Sequence, residues 1–345
     1  MSQLSIKGLD VHYDQHQVIK NLDLEVQEGE IVALFGPSGS GKSTVLKAVT
    51  GLLNHASGSI ELAGHTLLSN EKAVPTERRN IGLIFQDYAL FPHLTVSENI
   101  CFGLVKVSPL EKQQTVDELL ALVKMSEYKD AYPHQLSGGQ QQRVAIVRAL
   151  ATKPDLLLFD EAFSNLDPQF RFELIEEMRA ILKNKGITAL FVTHNQDEAF
   201  AFCDRIAVLN HGRIAQIDNP ERLFSYPSDR FVAEFLGQGV WLEARVASEN
   251  TLSSEWGDLP YQGEKSIAGM IGELVDVYLR PHQIGFTEAD DGVFCVEHER
   301  FVGEFYQVEL EWRQQSLKIR THSSFLNKRV NIRVKQPVLH VFPKP

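Results

Sequence analysis

The chain has 345 residues, 43% of them hydrophobic, and 34 Lys and Arg against 45 Asp and Glu give a formal net charge of −11. That length and apolar content fit two globular domains, three at most. The acidic balance argues against a nucleic-acid binder that relies on bulk electrostatics, and apolar runs such as LLLF at 156–159 are far too short to span a bilayer.

The opening stretch, MSQLSIKGLDVHYD, lacks a positive region followed by an apolar run, so no signal peptide is expected there. Ile31 to Phe35 reads as a buried strand and Thr44 to Leu52 as a helix. Between them lies Gly36-Pro37-Ser38-Gly39-Ser40-Gly41-Lys42-Ser43, a full match to the phosphate-binding P-loop pattern. Glycines let backbone N–H groups turn inward around a β-phosphate, and the following helix adds positive partial charge. Lys42 is expected to reach the β- and γ-phosphates of ATP, and the Ser43 hydroxyl to ligate Mg²⁺. Thr44 opens the helix behind the loop.

Further along, Ser108 to Pro133 carries Leu119, Leu120, Leu122 and Val123 on helical spacing. A second glycine loop follows: Leu136-Ser137-Gly138-Gly139-Gln140 runs directly into a helical pattern, LSGGQQQRVAIVRAL. Then KPDLLLFDEAFSNLD places Asp160 and Glu161 at the end of a buried strand. Downstream of a P-loop, Asp160 suits a Mg²⁺ ligand and Glu161 a base that polarises water at the γ-phosphate. His194 ends the next apolar strand, ITALFVTH.

The chain changes character near Gly237–Gly239. Before it, short apolar runs alternate with helical stretches, the pattern of an α/β domain. After it, strands dominate: Tyr306, Val308, Leu310 and Trp312 alternate with polar residues, and LKIRTH and VNIRVKQPVLHVF continue the style. The expected organisation is an α/β domain over 1–237 and a small all-β barrel or sandwich over 238–345. Cys101, Cys203 and Cys295 are far apart and show no metal-ligand spacing; each is expected to be a small buried residue in a reduced, cytoplasmic setting.

With LSGGQ between the two nucleotide motifs, residues 4–236 resemble the ATP-binding cassette of ABC transporters. The resemblance implies a P-loop ATPase domain with a mixed sheet and a helical subdomain at about 87–150, followed by an OB-like (TOBE-like) β domain. It implies ATP and Mg²⁺ as cofactors. Gln86 matches the Q-loop glutamine near Mg²⁺ and the attacking water, Ser164-Asn165-Leu166-Asp167 the D-loop, His194 the switch histidine, and Tyr13 the aromatic stacked on adenine. In the family, the loop at Ser137, Gly138, Gly139 and Gln140 covers the ATP of an opposite subunit, so a head-to-tail homodimer is implied. Two positions depart from the family pattern: Ala162 stands where proline is common, leaving the backbone after Glu161 less constrained, and Asn195 where aspartate is frequent.

The apolar-rich QDYALFPHLTVSEN segment resembles the groove, near Gln86–Leu94, that receives a helix of an integral membrane permease. Residues 238–345, with LRPHQI, resemble the β modules of importers for metals, polyamines, sulfate and sugars; without a basic-aromatic stripe, a dimerising or regulatory role is expected there rather than nucleic-acid binding. The resemblance is greatest to ferric-iron importers, with polyamine or sulfate and molybdate importers as the alternative. Such a subunit sits peripherally on the cytoplasmic face of the inner membrane and meets a periplasmic or surface solute-binding protein indirectly. A soluble translation or repair ABC protein and an exporter ATPase are the rival readings; the chain has neither a second cassette nor a long coiled-coil insertion, and its β-rich tail is unusual for an exporter.

Overall fold

In the computed structural model, which describes residues 2–344 apart from 54, 70, 71, 106 and 314, the chain forms two compact units, Met1–Pro220 and Glu221–Pro345. The first unit runs β1 (Ser2–Tyr13), β2 (His16–Gln27), β3 (Ile31–Phe35), α1 (Lys42–Thr50), β4 (Ala56–Leu62), β5 (His65–Leu68) and β6 (Ile81–Ile84). It continues with α2 (Val96–Cys101), α3 (Pro109–Leu122), α4 (Gly138–Ala151), β7 (Leu156–Asp160), α5 (Pro168–Lys185), β8 (Ala189–Thr193), α6 (Gln196–Phe202), β9 (Arg205–Asn210) and β10 (Arg213–Asp218).

Two sheets share its core. The order β2-β1-β4-β5 is antiparallel throughout, while β10-β9-β3-β8-β7-β6 is parallel except for the β10–β9 edge pair. All five residues of β3 and of β8 are buried, as strands covered on both faces must be. Side-chain parity then sorts the two faces. Leu156, Leu158, Leu190 and Val192 join Val45, Leu46 and Val49 of α1 and the antiparallel sheet in one apolar cluster. Their neighbours Phe159 and Phe191 point the other way, into a four-ring cluster with Phe163 and Phe202 whose centroids lie 5.2–6.2 Å apart. Asp160 shares the parity of Leu158, so it emerges on the α1 face.

Each helix of the α2–α4 segment starts with a capping box: Thr95 with Glu98, Ser108 with Glu111, and Ser137 with Gln140. Of the predicted α3 stripe, Leu120 and Val123 are fully buried, joined by Val116 one turn earlier, while Leu119 and Leu122 are half-buried.

The second unit begins within the short helix α7 (Pro220–Ser225), which α8 (Arg230–Phe235) follows. The units therefore part ahead of the composition change at Gly237. The reason is packing: Arg280 bonds the Phe224 and Gly237 carbonyls, Arg230 pairs with Asp276, and the Trp241 indole donates to Glu234. Beyond Gly239 lie a five-stranded antiparallel sheet and two three-stranded sheets around one core. The strand at Tyr306–Trp312 buries Val308, Leu310 and Trp312, as its alternation predicts. The cysteines differ from expectation: Cys203 is buried, Cys101 only partly so, and Cys295 is exposed on a two-residue strand at a sheet edge, where no core reaches it.

Candidate active site

The predicted nucleotide residues gather at the C-terminal ends of neighbouring parallel strands, where open α/β sheets bind ligands. Gly36 to Gly41 follows β3, Asp160 ends β7 with Glu161 just beyond, and His194 follows β8. Helix α1 starts behind Gly41, which caps it in a left-handed conformation (φ 108°) with no side-chain cap, so its first-turn N–H groups remain for an anion. The glycines are used for space: a Cβ on Gly41 would lie 2.5 Å from Ile19 Cδ1, and one on Gly36 would run into the Leu209 carbonyl. Pro37, Ser38 and Gly39 form the outer rim, and the buried Ser40 hydroxyl has no partner.

Lys42 is buried with its Nζ folded onto the loop, 2.8 Å from the Gly36 carbonyl and 3.0 Å from that of Pro37. Burial pushes its ammonium below the ordinary lysine value, and Glu161 and Asp160 oppose that. Burial and the neighbouring Glu161 raise the Asp160 carboxyl above its ordinary value, with Lys47 and Lys42 opposing. A half-buried carboxylate crowded by a second one calls for a cation. The free, exposed Ser43 hydroxyl and the exposed Gln86 side chain are oxygen donors of the kind Mg²⁺ takes. Among the described residues no group of three or more His, Cys, Asp and Glu could hold a metal ion.

Glu161 and His194 meet: His194 Nδ1 lies 3.0 Å from Glu161 Oε1. Glu161 itself is left-handed (φ 50°), unusual for a residue with a Cβ. The loose backbone expected from Ala162 is not what forms. The Glu161 N–H donates to the Val192 carbonyl, its own carbonyl accepts from the Ser164 N–H and hydroxyl, and Ala162 is fully buried. Asn195, the other departure, caps α6 by accepting from the Asp197 and Glu198 N–H groups.

Tyr13 is exposed at the tip of the β1–β2 hairpin, opposite His16, two rungs from the Val11–Ile19 pair whose Ile19 lies against Gly41. Its ring is exposed, on a hairpin that reaches the P-loop through Ile19. Asp167 accepts from the Gln169 N–H as the cap of α5, and Ser137 and Gln140 are tied up in their capping box. What α4 leaves open is its backbone: among the described residues the Gly138 and Gly139 N–H groups have no acceptor, and a Cβ on Gly139 would meet nothing within 4 Å.

Several supporting contacts could not be read from the sequence. Asn165 Nδ2 donates to the Gln86 carbonyl at 2.9 Å, joining the D-loop stretch to the Q-loop stretch. Arg171 donates to the Ser164 and Leu166 carbonyls and pairs with buried Glu198. Arg148 of α4 donates to the Tyr88 and Ala89 carbonyls, two successive non-glycine residues at positive φ. Gly212, in the β9–β10 turn, clasps the P-loop from behind: its N–H donates to Ser40 and its carbonyl accepts from Lys20. Asn165 lies in the D-loop stretch and Gly212 in an "HG" turn, but neither signal named the partner across the chain.

Comparison with known proteins shows the family. The ABC transporter family model matches residues 19–164. The Fe(3+) ions import ATP-binding protein FbpC 2 of Haemophilus influenzae is 36% identical over 318 residues, covering 92% of this chain and 87% of that one. The chain belongs to the ATP-binding subunits of ABC importers. Such subunits are ATPases, and the fold and P-loop here are theirs. The spermidine/putrescine import ATP-binding protein PotA of Photobacterium profundum is 39% identical over 293 residues, 84% of this chain and 78% of that one. Among solved structures, cbiO1 from Clostridium perfringens, part of the ABC transporter complex cbiONQ, aligns with a TM-score of 0.61 and 31% identity over 65% of this chain and 91% of its own. Among the described residues no helix is long and apolar enough to cross a membrane.

Proposed function

We propose that this importer ATPase works as a head-to-tail homodimer whose two ATP sites are each built from both copies, and that it powers uptake of ferric iron. The observation that carries the reading is the His194–Glu161 contact beside the P-loop, together with a second helix start, at Gly138 and Gly139, whose N–H groups have no partner. In each site Lys42 and the loop N–H groups hold the phosphates, Tyr13 stacks on adenine, and Glu161 takes a proton from the attacking water. His194 orients Glu161 and contacts the γ-phosphate. Ser43, Asp160 and Gln86 would hold Mg²⁺, which supplies charge neutralisation at the phosphates. Ser137, Gly138, Gly139 and Gln140 close over the nucleotide of the partner copy, with Asp167 at the same interface. Closure on ATP and reopening after hydrolysis move the segment Gln86–Leu94, where the permease docks. The assembly then sits on the cytoplasmic face of the inner membrane, and a solute-binding protein delivers cargo on the other side. Ferric iron rests on the relatives named for it; polyamine import is the alternative that PotA represents.

Ser137→Arg tests the composite site. It leaves Lys42, Ser43 and Tyr13 intact, so ATP binding to the monomer is retained while hydrolysis and ATP-induced dimerisation are lost. Hydrolysis at the normal rate would sink the head-to-tail dimer. For cargo, cells lacking this protein should lose radiolabelled ferric iron uptake and keep spermidine uptake; the reverse pattern would assign polyamine.

A further inference from the structure

We propose that Tyr88, Gln142 and Arg171 are positioning residues for ATP hydrolysis: three polar side chains with unpaired buried atoms that pair with one another when the ATP-driven closure proposed above, on which this rests, draws α4 toward α5. Among the described residues six buried side-chain N and O atoms lack a hydrogen-bond partner, and four of them belong to these three residues: Tyr88 Oη, both amide atoms of Gln142, and Arg171 Nε. Tyr88 is 5% exposed and Gln142 fully buried. Buried polar groups almost always find partners, because an unpaired one has lost its water for nothing. Several such atoms around one helix start therefore point to a second arrangement in which they are paired.

The three groups come from the parts that closure must coordinate. Tyr88 stands two positions after Gln86, in left-handed backbone (φ 61°). Arg148, near the end of α4, holds the Tyr88 and Ala89 carbonyls at 2.9 and 2.6 Å, so this stretch travels with α4. The Tyr88 hydroxyl lies at the other end of the same helix: a Cβ on Gly138 would be 3.9 Å from it. Gln142 is one turn further along that face, and helical side chains lean back over the turn before their own Cα. Gly138, having no side chain, leaves the space between the hydroxyl and the amide open. Arg171 comes from the first turn of α5, where Nη1 reaches buried Glu198 at 3.2 Å and Nη2 the Leu166 carbonyl at 2.9 Å, while Nε reaches nothing. Its charge acts on Tyr88: burial holds the phenol above the ordinary tyrosine value, and Arg171 opposes that. Beside Gln142, the Arg143–Glu177 ion pair already ties α4 to α5.

The hydrogen-bonding capacities fit end to end. Arg171 Nε–H only donates, a neutral phenol both accepts and donates, and the Gln142 amide oxygen accepts. Arg171 Nε–H to Tyr88 Oη, and Tyr88 O–H to Gln142 Oε1, make a line from the D-loop side of the core to the helix that begins at Gly138. Completing the line sets that helix start for the partner copy's γ-phosphate, and breaking it releases the start after hydrolysis.

Tyr88→Phe and Gln142→Met remove the polar atoms and keep the shape. Both are made in the full chain, with Arg171 left intact because it also holds Glu198 and the D-loop carbonyls. Each should lower kcat about five- to tenfold, the equivalent of about one hydrogen bond. ATP affinity measured on the Ser137→Arg monomer should not change when either substitution is added. The unfolding midpoint of the first unit, followed by circular dichroism, should not fall, because no bond present in this fold is removed. The double variant should lose no more than either single one, since both break the same line. On a Glu161→Gln background, Tyr88→Phe should raise the ATP concentration needed for dimerisation about five- to tenfold. Unchanged kcat, additive losses in the double variant, or a destabilised Tyr88→Phe protein would each overturn the line while leaving closure standing. A Glu161→Gln protein that never dimerises with ATP would overturn closure and the line together.

Discussion

Gly212→Ala probes a contact that supports the P-loop without touching nucleotide. Gly212 has φ +81°, so any Cβ there costs about 1–2 kcal/mol for left-handed backbone. The same Cβ would lie 3.0 Å from Val18 C and 3.2 Å from Ile19 Cα, with the Val18 oxygen closer still, so backbone must move. Moving it strains two hydrogen bonds, Lys20 N–H to the Gly212 carbonyl at 2.9 Å and Gly212 N–H to the Ser40 carbonyl at 3.1 Å. At about 1 kcal/mol each, the total loss is about 3–4 kcal/mol in the first unit. Gly64→Ala is the control: φ is +76° but nothing lies within 4 Å, so only the backbone cost of about 1–2 kcal/mol remains. Urea unfolding followed by circular dichroism measures both. Trp241, Trp256 and Trp312 all lie in the second unit, so their fluorescence reports separately on that unit and should not change. Because Ser40 belongs to the P-loop, ATP affinity should also fall roughly fivefold, the equivalent of about one hydrogen bond. A Gly212→Ala protein no less stable than Gly64→Ala, with unchanged ATP affinity, would refute the clasp.

Glu161→Gln keeps the left-handed turn and removes the base, so ATP affinity should persist while turnover falls roughly 10²–10⁴-fold, with an ATP-bound dimer accumulating on gel filtration; near-normal turnover would reject the assignment. The raised Asp160 carboxyl sets a pH dependence. Protonation is favoured in the folded apo protein, so its contribution to stability is present at low pH and lost as pH rises through the folded value, whereas Mg²⁺ needs the carboxylate. Mg²⁺ affinity should therefore begin to fall at a higher pH than an ordinary aspartate dictates, and Glu161→Gln should move that edge downward; an unmoved edge would count against the coupling. A chain ending at Pro220 should fold and bind ATP, whereas one ending at Gly237 carries α7 and α8 stripped of Arg280 and Asp276 and should be more prone to proteolysis there; equal resistance of the two would put the boundary back at Gly237.

Sequence alone determined the parts of this protein that are local. The strand, glycine loop and helix from Ile31 to Leu52 are specified by neighbours a few positions apart, because glycine torsions, helix starts and the period of apolar residues act over that distance. The same holds for Asp160 and Glu161 at a strand end, for LSGGQ at a helix start, and for the alternation of Tyr306 to Trp312. Tertiary structure decided what joins these parts. The register of β7 against β8 brings Glu161 to His194, and Val192 together with Ser164 holds the left-handed turn at Glu161. Gly212, Arg148 and Asn165 act on residues 172, 60 and 79 positions away at Ser40, Tyr88 and Gln86, distances at which no periodicity carries information. The unit boundary moved for the same reason: α7 and α8 look like the α/β pattern before them, yet Arg280 and Asp276, far along the chain, supply their partners. Arg280 in a β-rich tail reads as a surface residue; only the folded second unit buries it near His282 and His340, and among the described residues it has no carboxylate partner.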